Sequence, residues 1–330
     1  MSISVIAVDY SRPVQAMFEQ PSRVGVIHSV FRRAVNIAVD GTILTLLSDG
    51  LPRMPNGMRL PSVLVEEMLQ GLRPRMEVRV GGGRLFIPGC GFYLRLPEVP
   101  GWEPRPEVER CYWDRETVAG HVRLLAGYVG RGNETGRPQG IAPTLYGFTH
   151  WNQISESLTE SQKNGSLEET ILWRMVLPKL QLLARASWRQ DVAGVEEATR
   201  GLAGLGPGLT PAGDDMLAGF AAVMTLLSER LSVDGINRGQ VAEVIARVAR
   251  PRTTMLSGVL LEYAAHGEVA EQVGKLLLAL ALPGGESEAV LRAADELLAF
   301  GATSGGDTLL GVLLGLKTLE GEIDDNGVGM

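Results

Sequence analysis

The chain has 330 residues, 45% of them hydrophobic, and a formal net charge of −7. That length and apolar content suffice for a sizeable core and two domains of ordinary size, while the acidic balance excludes nucleic acid as a general partner, because phosphate backbones require a basic surface. The two cysteines, Cys90 and Cys111, have no metal-ligand spacing; they exclude a disulfide framework and fit a reducing cytosol.

Residues 3–8 (ISVIAV) form too short an apolar run, without a basic flank, for a signal peptide. The later runs Met216 to Leu227 and Lys275 to Leu282 fall short of the ~20 residues of a membrane span, so a cytoplasmic protein without membrane contact is expected. Val35 to Val39 and Thr42 to Leu47 flank Asp40-Gly41, a two-residue hairpin signal. Met76 to Val80 and Arg84 to Ile87 flank Gly81-Gly82-Gly83, a second hairpin, and a helix is predicted between the hairpins from Ser62 to Leu72. Leu96 to Pro106 contains four prolines and reads as a linker or surface loop. Asp114 to Val129 has helical periodicity with Asp114 as cap, and residues 130–165 read as a long polar excursion over the surface. From Ser166 onward the chain reads as consecutive helices, broken near Gly204, Asp234, Pro251, Gly267, Pro283 and Gly301. The fold class expected is α+β, with a β-rich domain over 1–110 and a mainly helical domain over 111–330.

Within the helical half, Gly204 to Asp215 reads GLGPGLTPAGDD. Its four glycines permit tight, positive-φ backbone. Thr210-Pro211 signals a helix start, with a hydroxyl N-cap and proline at the first helical position. Asp214 and Asp215 then fall in the first turn. A glycine-rich loop entering a helix presents backbone N–H groups to phosphates and carboxylates. Adjacent carboxylates repel a bare anion, so the combination suits a ligand of both signs, or an anion accompanied by a metal. The motif has an echo, in which Gly213-x-Asp215-x-Leu217-x-Gly219 is matched by Gly305-x-Asp307-x-Leu309-x-Gly311. In one reading the repeat is only a glycine-opened helix start, with Gly219 and Gly311 permitting close helix packing. In the other, Asp215 and Asp307 lie together and face one ligand.

The remaining candidates are sparser. His28, His121, His150 and His266 show no metal spacing on a helix face. His28, with Ser29, Arg32, Arg33 and Asn36 around it, is a candidate substrate contact or simply a strand histidine. Arg252, with Thr253 and Thr254, opens a further helix; it is a candidate clamp for a carboxylate or phosphate, or a surface arginine beside a threonine cap. There is no GxSxG elbow, Walker loop or dinucleotide fingerprint.

The stretch GLGPGLTPAGDDMLAGF resembles the signature of a bacterial family first labelled a domain of unknown function, the AllH-type (YlbF-like) subunit of oxamate carbamoyltransferase. The segments VGVIHSVFRRAVNI, RTTMLSGVLLEYAAHG and GGDTLLGVLLG are similar to further family features, so the resemblance extends over most of the chain. Two departures stand out: Ala212 occupies a position where serine is more usual, and the late motif is looser. The resemblance implies a subunit acting with an FdrA-like protein and a further carbamoyltransferase subunit in purine and allantoin breakdown. That complex interconverts oxalurate plus phosphate with oxamate plus carbamoyl phosphate. On this reading Asp214 and Asp215 are catalytic. Gly206, Gly208, Leu209, Thr210, Gly213, Arg252, Thr254, Asp307 and His28 bind the small anionic substrate, and no cofactor is expected. The alternatives are a non-catalytic assembly subunit, or a Mg-dependent hydrolase, since the two Gly-Asp helix starts also resemble those of ADP-ribosylglycohydrolases.

Overall fold

The computed structural model describes residues 3–130 and 167–321; the excursion expected over 130–165, and His150 with it, lies outside the described residues apart from Gly130. The chain divides into two compact units, Met1–Arg105 with Glu268–Glu271, and Pro106–Gly267 with Gln272–Met330.

The first unit is a mixed nine-stranded sheet carrying two helices. Its elements are β1 (Ile3–Ile6), β2 (Asp9–Tyr10), α1 (Arg12–Glu19), β3 (Arg23–Val30), β4 (Ala34–Val39), β5 (Thr42–Ser48), β6 (Gly57–Leu60), α2 (Ser62–Gly71), β7 (Glu77–Gly81), β8 (Arg84–Ile87) and β9 (Phe92–Arg95). The strand order is β1-β9-β8-β7-β3-β4-β5-β6-β2. Both expected hairpins form. Val39 pairs with Thr42 across Asp40 (φ 48°) and Gly41 (φ 77°), the two positive angles that a tight hairpin turn requires. Gly81 pairs with Arg84 across Gly82 and Gly83. Alternation sends Val78 and Val80 of β7 inward and leaves Glu77 and Arg79 exposed. Ile27, Ile37, Leu44, Leu46 and Leu85 complete the core with Val14 and Phe18 of α1 and Val65 and Met68 of α2. The proline-containing segment after β9 is not a free linker: Trp102 donates its N–H to the Tyr10 carbonyl (2.7 Å) and accepts from Arg12 N–H (2.9 Å), so it docks alongside the β2–α1 junction.

The second region is helical: α3 (Arg115–Gly130), α4 (Leu167–Trp188), α5 (Val192–Leu202), α6 (Ala212–Leu231), α7 (Gly239–Ala249), α8 (Met255–Ala265), α9 (Glu271–Ala279), α10 (Ser287–Leu298) and α11 (Ser304–Glu320). Asp114 caps α3 by accepting the Thr117 N–H at 2.8 Å. No helix among the described residues is long and apolar enough to cross a membrane. The turn between α6 and α7 is fixed by Arg238, which is buried, stacks 4.4 Å from the Trp188 ring centroid and pairs with Asp234 at 2.6 Å.

Helices α6 and α11 form the centre of this unit, and both are buried nearly all round, as core helices are. Their backbones meet at glycines. A Cβ on Gly219 would fall 2.2 Å from the Thr308 carbonyl oxygen, and one on Gly311 would fall 2.0 Å from that of Met216. Each glycine thus lies against the residue three places before the other glycine, a pseudo-twofold crossing. The approaches to the two helices also match. A Cβ on Gly213 would fall 2.1 Å from Leu202 O and one on Gly305 1.9 Å from Leu297 O. The N–H groups of these glycines bond back to Leu205 O (2.9 Å) and Phe300 O (3.0 Å). The sequence echo is therefore a structural repeat of helix, connecting loop and glycine-opened helix.

A methyl group at the crossing has no room, so Gly311→Ala is expected to lower unfolding stability by about 1–3 kcal/mol. Gly120, inside α3 with open space where its Cβ would stand, provides the contrast: Gly120→Ala is expected to add about 0.5–1 kcal/mol. Urea denaturation of both variants checks this, and equal midpoints would contradict the close crossing.

Candidate active site

The loop between α5 and α6 has three residues in the left-handed region, Gly204 (φ 73°), Gly206 (φ 121°) and Gly208 (φ 94°). Gly204 and Gly206 also pass too close to backbone for a side chain, with would-be Cβ positions 2.7 Å from Arg252 O and 2.8 Å from Ala212 N. Gly208 has open space and needs glycine for its φ alone.

The expected helix cap is corrected by the structure. Pro211, not Thr210, is the N-cap residue, and no side chain caps α6. Pro211 offers its carbonyl to Asp214 N–H (2.9 Å) and Asp215 N–H (3.2 Å). A residue preceding proline is pushed toward extended backbone, which leaves the Thr210 side chain outside capping range; its hydroxyl meets the Ser304 hydroxyl at 3.1 Å.

Asp214 and Asp215 occupy the first turn as expected but point to different surroundings. Asp214 holds the loop. One oxygen accepts the Gly204 N–H at 2.9 Å and the other accepts the Thr253 hydroxyl. Burial raises its pKa, and the bonds from Thr253, Gly204 and Ser257 oppose that rise. Thr254 caps α8, accepting from Ser257 N–H at 3.1 Å, and donates its hydroxyl to Leu209 O at 2.6 Å. Ser257 reaches the same carbonyl at 3.2 Å. Leu209 and Thr254 therefore strap the loop to the start of α8. Arg252 is exposed and donates to Val248 O at 3.1 Å, while its carbonyl supports Gly204. With these bonds made, the N–H groups of Gly206, Gly208, Leu209 and Thr210 have no hydrogen-bond partner among the described residues.

Asp215 and Asp307 stand at the starts of the two crossing helices, 9% and 8% exposed. Burial pushes the Asp215 carboxyl well above its usual range, and the negative charges of Asp307 and Asp214 push it further, against hydrogen bonds from Ser304 and Thr210. Burial raises Asp307 to about 6, opposed by Thr303. Oδ2 of each has no hydrogen-bond partner among the described residues. The two helix starts adjoin through the Thr210 and Ser304 hydroxyls, and the charge of Asp307 acts on Asp215. Ser304 and Thr303 were not singled out from sequence, although the hydroxyl-containing run before the second motif was their signal. His28 lies on β3, in the strand-rich unit, with Nδ1 3.2 Å from the Ser29 hydroxyl.

The shift of Asp307 from an ordinary 3.8 to about 6 has a defined sign. Between these values the folded chain holds a proton that the unfolded chain has lost. Stability therefore falls as pH rises from about 4 to about 6 and levels above that. Asp307→Asn, which mimics the protonated form, is expected to change little at pH 4 and to gain on the order of 2–3 kcal/mol at pH 7. Urea denaturation at both pH values checks this, and a gain equal at both would contradict it.

Residues 202–316 match the family described as oxamate carbamoyltransferase subunit AllH, and residues 4–99 match the AllH family N-terminal domain. The first match opens at the end of α5 and closes within α11, so it contains both helix starts; the second spans the sheet of the first unit. No solved structure matches the chain. The chain belongs to the AllH family of oxamate carbamoyltransferase subunits.

Proposed function

We propose that this chain works with an FdrA-like protein and a further subunit as a cytoplasmic carbamoyltransferase of purine and allantoin degradation. The complex interconverts oxalurate plus phosphate with oxamate plus carbamoyl phosphate, and the α5–α6 loop binds its small anionic substrate. The observation that carries the reading is the run of unpartnered N–H groups at Gly206, Gly208, Leu209 and Thr210, beside the buried, incompletely bonded carboxylate of Asp215.

The chemistry fits these groups. Phosphate and the oxamate carboxylate are anions that backbone N–H groups at a helix start receive without rearrangement. The carbamoyl and amide NH₂ groups are donors that a carboxylate receives. In the direction of oxalurate formation the amide nitrogen attacks the carbamoyl carbon and phosphate leaves, so fixed donors at the departing charge supply the main stabilisation. Asp214 keeps the loop in shape through Gly204 and Thr253, which makes it a positioning residue; Asp215 is the carboxylate directed at substrate. Arg252, exposed at the α8 end of the strap, is available to close over a bound anion. The alternative, an assembly subunit without a site, gives no use to a loop whose N–H groups are unpartnered. Membership of a carbamoyltransferase subunit family favours transfer over the hydrolase alternative.

Asp215→Asn keeps the shape and removes the charge. In the assembled complex it is expected to reduce carbamoyl transfer by roughly 30- to 1,000-fold, equivalent to about 2–4 kcal/mol of transition-state stabilisation, without lowering the melting temperature. Transfer rate and melting temperature are measured on the same preparation. Normal turnover with a lowered melting temperature would reduce Asp215 to a helix-start residue.

A further inference from the structure

Asp215 and Asp307 pose a charge problem that the described residues do not solve. Both are more than nine-tenths buried, and Oδ2 of each has no partner among the described residues. The groups acting most strongly on them are hydroxyls (Ser304 and Thr210 on Asp215, Thr303 on Asp307) and other carboxylates; none is a lysine, arginine or histidine. Two buried carboxylates with two vacant oxygens and no positive side chain require either protons or a cation.

We propose that Asp215 and Asp307 hold a divalent cation between the two helix starts. The donor set selects its class. No group of three His, Cys, Asp or Glu side chains that can hold a metal occurs among the described residues, which excludes the three or four protein ligands of a zinc site. Two carboxylates with neighbouring hydroxyls are hard oxygen donors and suit an ion such as Mg²⁺ or Mn²⁺. Thr210, the last loop residue before Pro211, meets Ser304 at 3.1 Å, so the loop adjoins this position. The two residues are 92 positions apart (307 − 215), on the helices that the glycine crossing joins. The location rests on the proposed anion site; the cation does not.

The test is Mn²⁺ binding to the purified full chain at neutral pH without substrate, followed by electron paramagnetic resonance and competed with Mg²⁺. One bound Mn²⁺ per chain is expected, displaced by Mg²⁺, weakened at least about tenfold by Asp215→Asn and by Asp307→Asn, and unchanged by Glu288→Gln at an exposed position of α10. Chelator is expected to lower the melting temperature of the wild type and to leave that of Asp307→Asn unmoved. A wild-type chain that binds no Mn²⁺ at millimolar concentration overturns the proposal, as does undiminished binding by both variants; the wild-type arm decides even if a variant fails to fold. Binding that is lost in the variants supports the cation site whether or not the assembled complex transfers a carbamoyl group.

Discussion

Two backbones meet without side chains between them where α6 crosses α11, and the rest of the helical unit is arranged around that contact. Gly219 lies against Thr308 and Gly311 against Met216, at separations that leave no room for a methyl group. Because the protein interior is close-packed, such a contact fixes the rotation and slide of each helix. The consequence reaches one turn back toward the helix starts, where the charge of Asp307 acts on Asp215. A looser crossing with larger residues would hold the helices apart and separate the carboxylates.

The second constraint is the strap that holds the loop in front of this pair. Gly204 is seated on Arg252 O, Asp214 accepts from both Gly204 and Thr253, and Leu209 O accepts from Thr254 and Ser257. These bonds occupy side chains and carbonyls and leave the N–H groups of Gly206, Gly208, Leu209 and Thr210 without a partner among the described residues. A fixed array of donors loses little on meeting an anion, because its ordering is complete beforehand. The adjacent carboxylates pay for their burial in raised pKa values, the pattern found where a chain keeps charge for a task other than stability.

Much of this was legible in the sequence because it rests on local rules. The Asp40-Gly41 and Gly81-Gly82-Gly83 hairpins follow from the positive φ that only a few residues tolerate, and most helix breaks fall at or beside glycines and prolines; the break at Gln190 between α4 and α5 contains neither. The parallel pairings of β1 with β9 and β5 with β6 were not legible: the first joins strands distant in sequence, and the second joins consecutive strands by a crossover that leaves no hairpin signal. The docking of Trp102 beside β2 was hidden for the same reason. At the site, the Gly-Asp echo marked both carboxylates, but their different fates depend on partners elsewhere in the chain. Asp214 is held by Thr253, which is 39 residues away, and Asp215 by Ser304 across the helix crossing. The Thr210 cap failed because proline at the next position takes over the turn.

The family assignment covers both units, and the location we propose for the chemistry is one loop and two helix starts within the helical unit. The most direct measurement is a crystal structure of the assembled complex grown with oxamate and phosphate. The account predicts an anion within hydrogen-bond distance of the N–H groups of Gly208, Leu209 and Thr210, with Asp215 and Asp307 beside it. An anion bound elsewhere, with this loop occupied by another subunit's side chains, would contradict it.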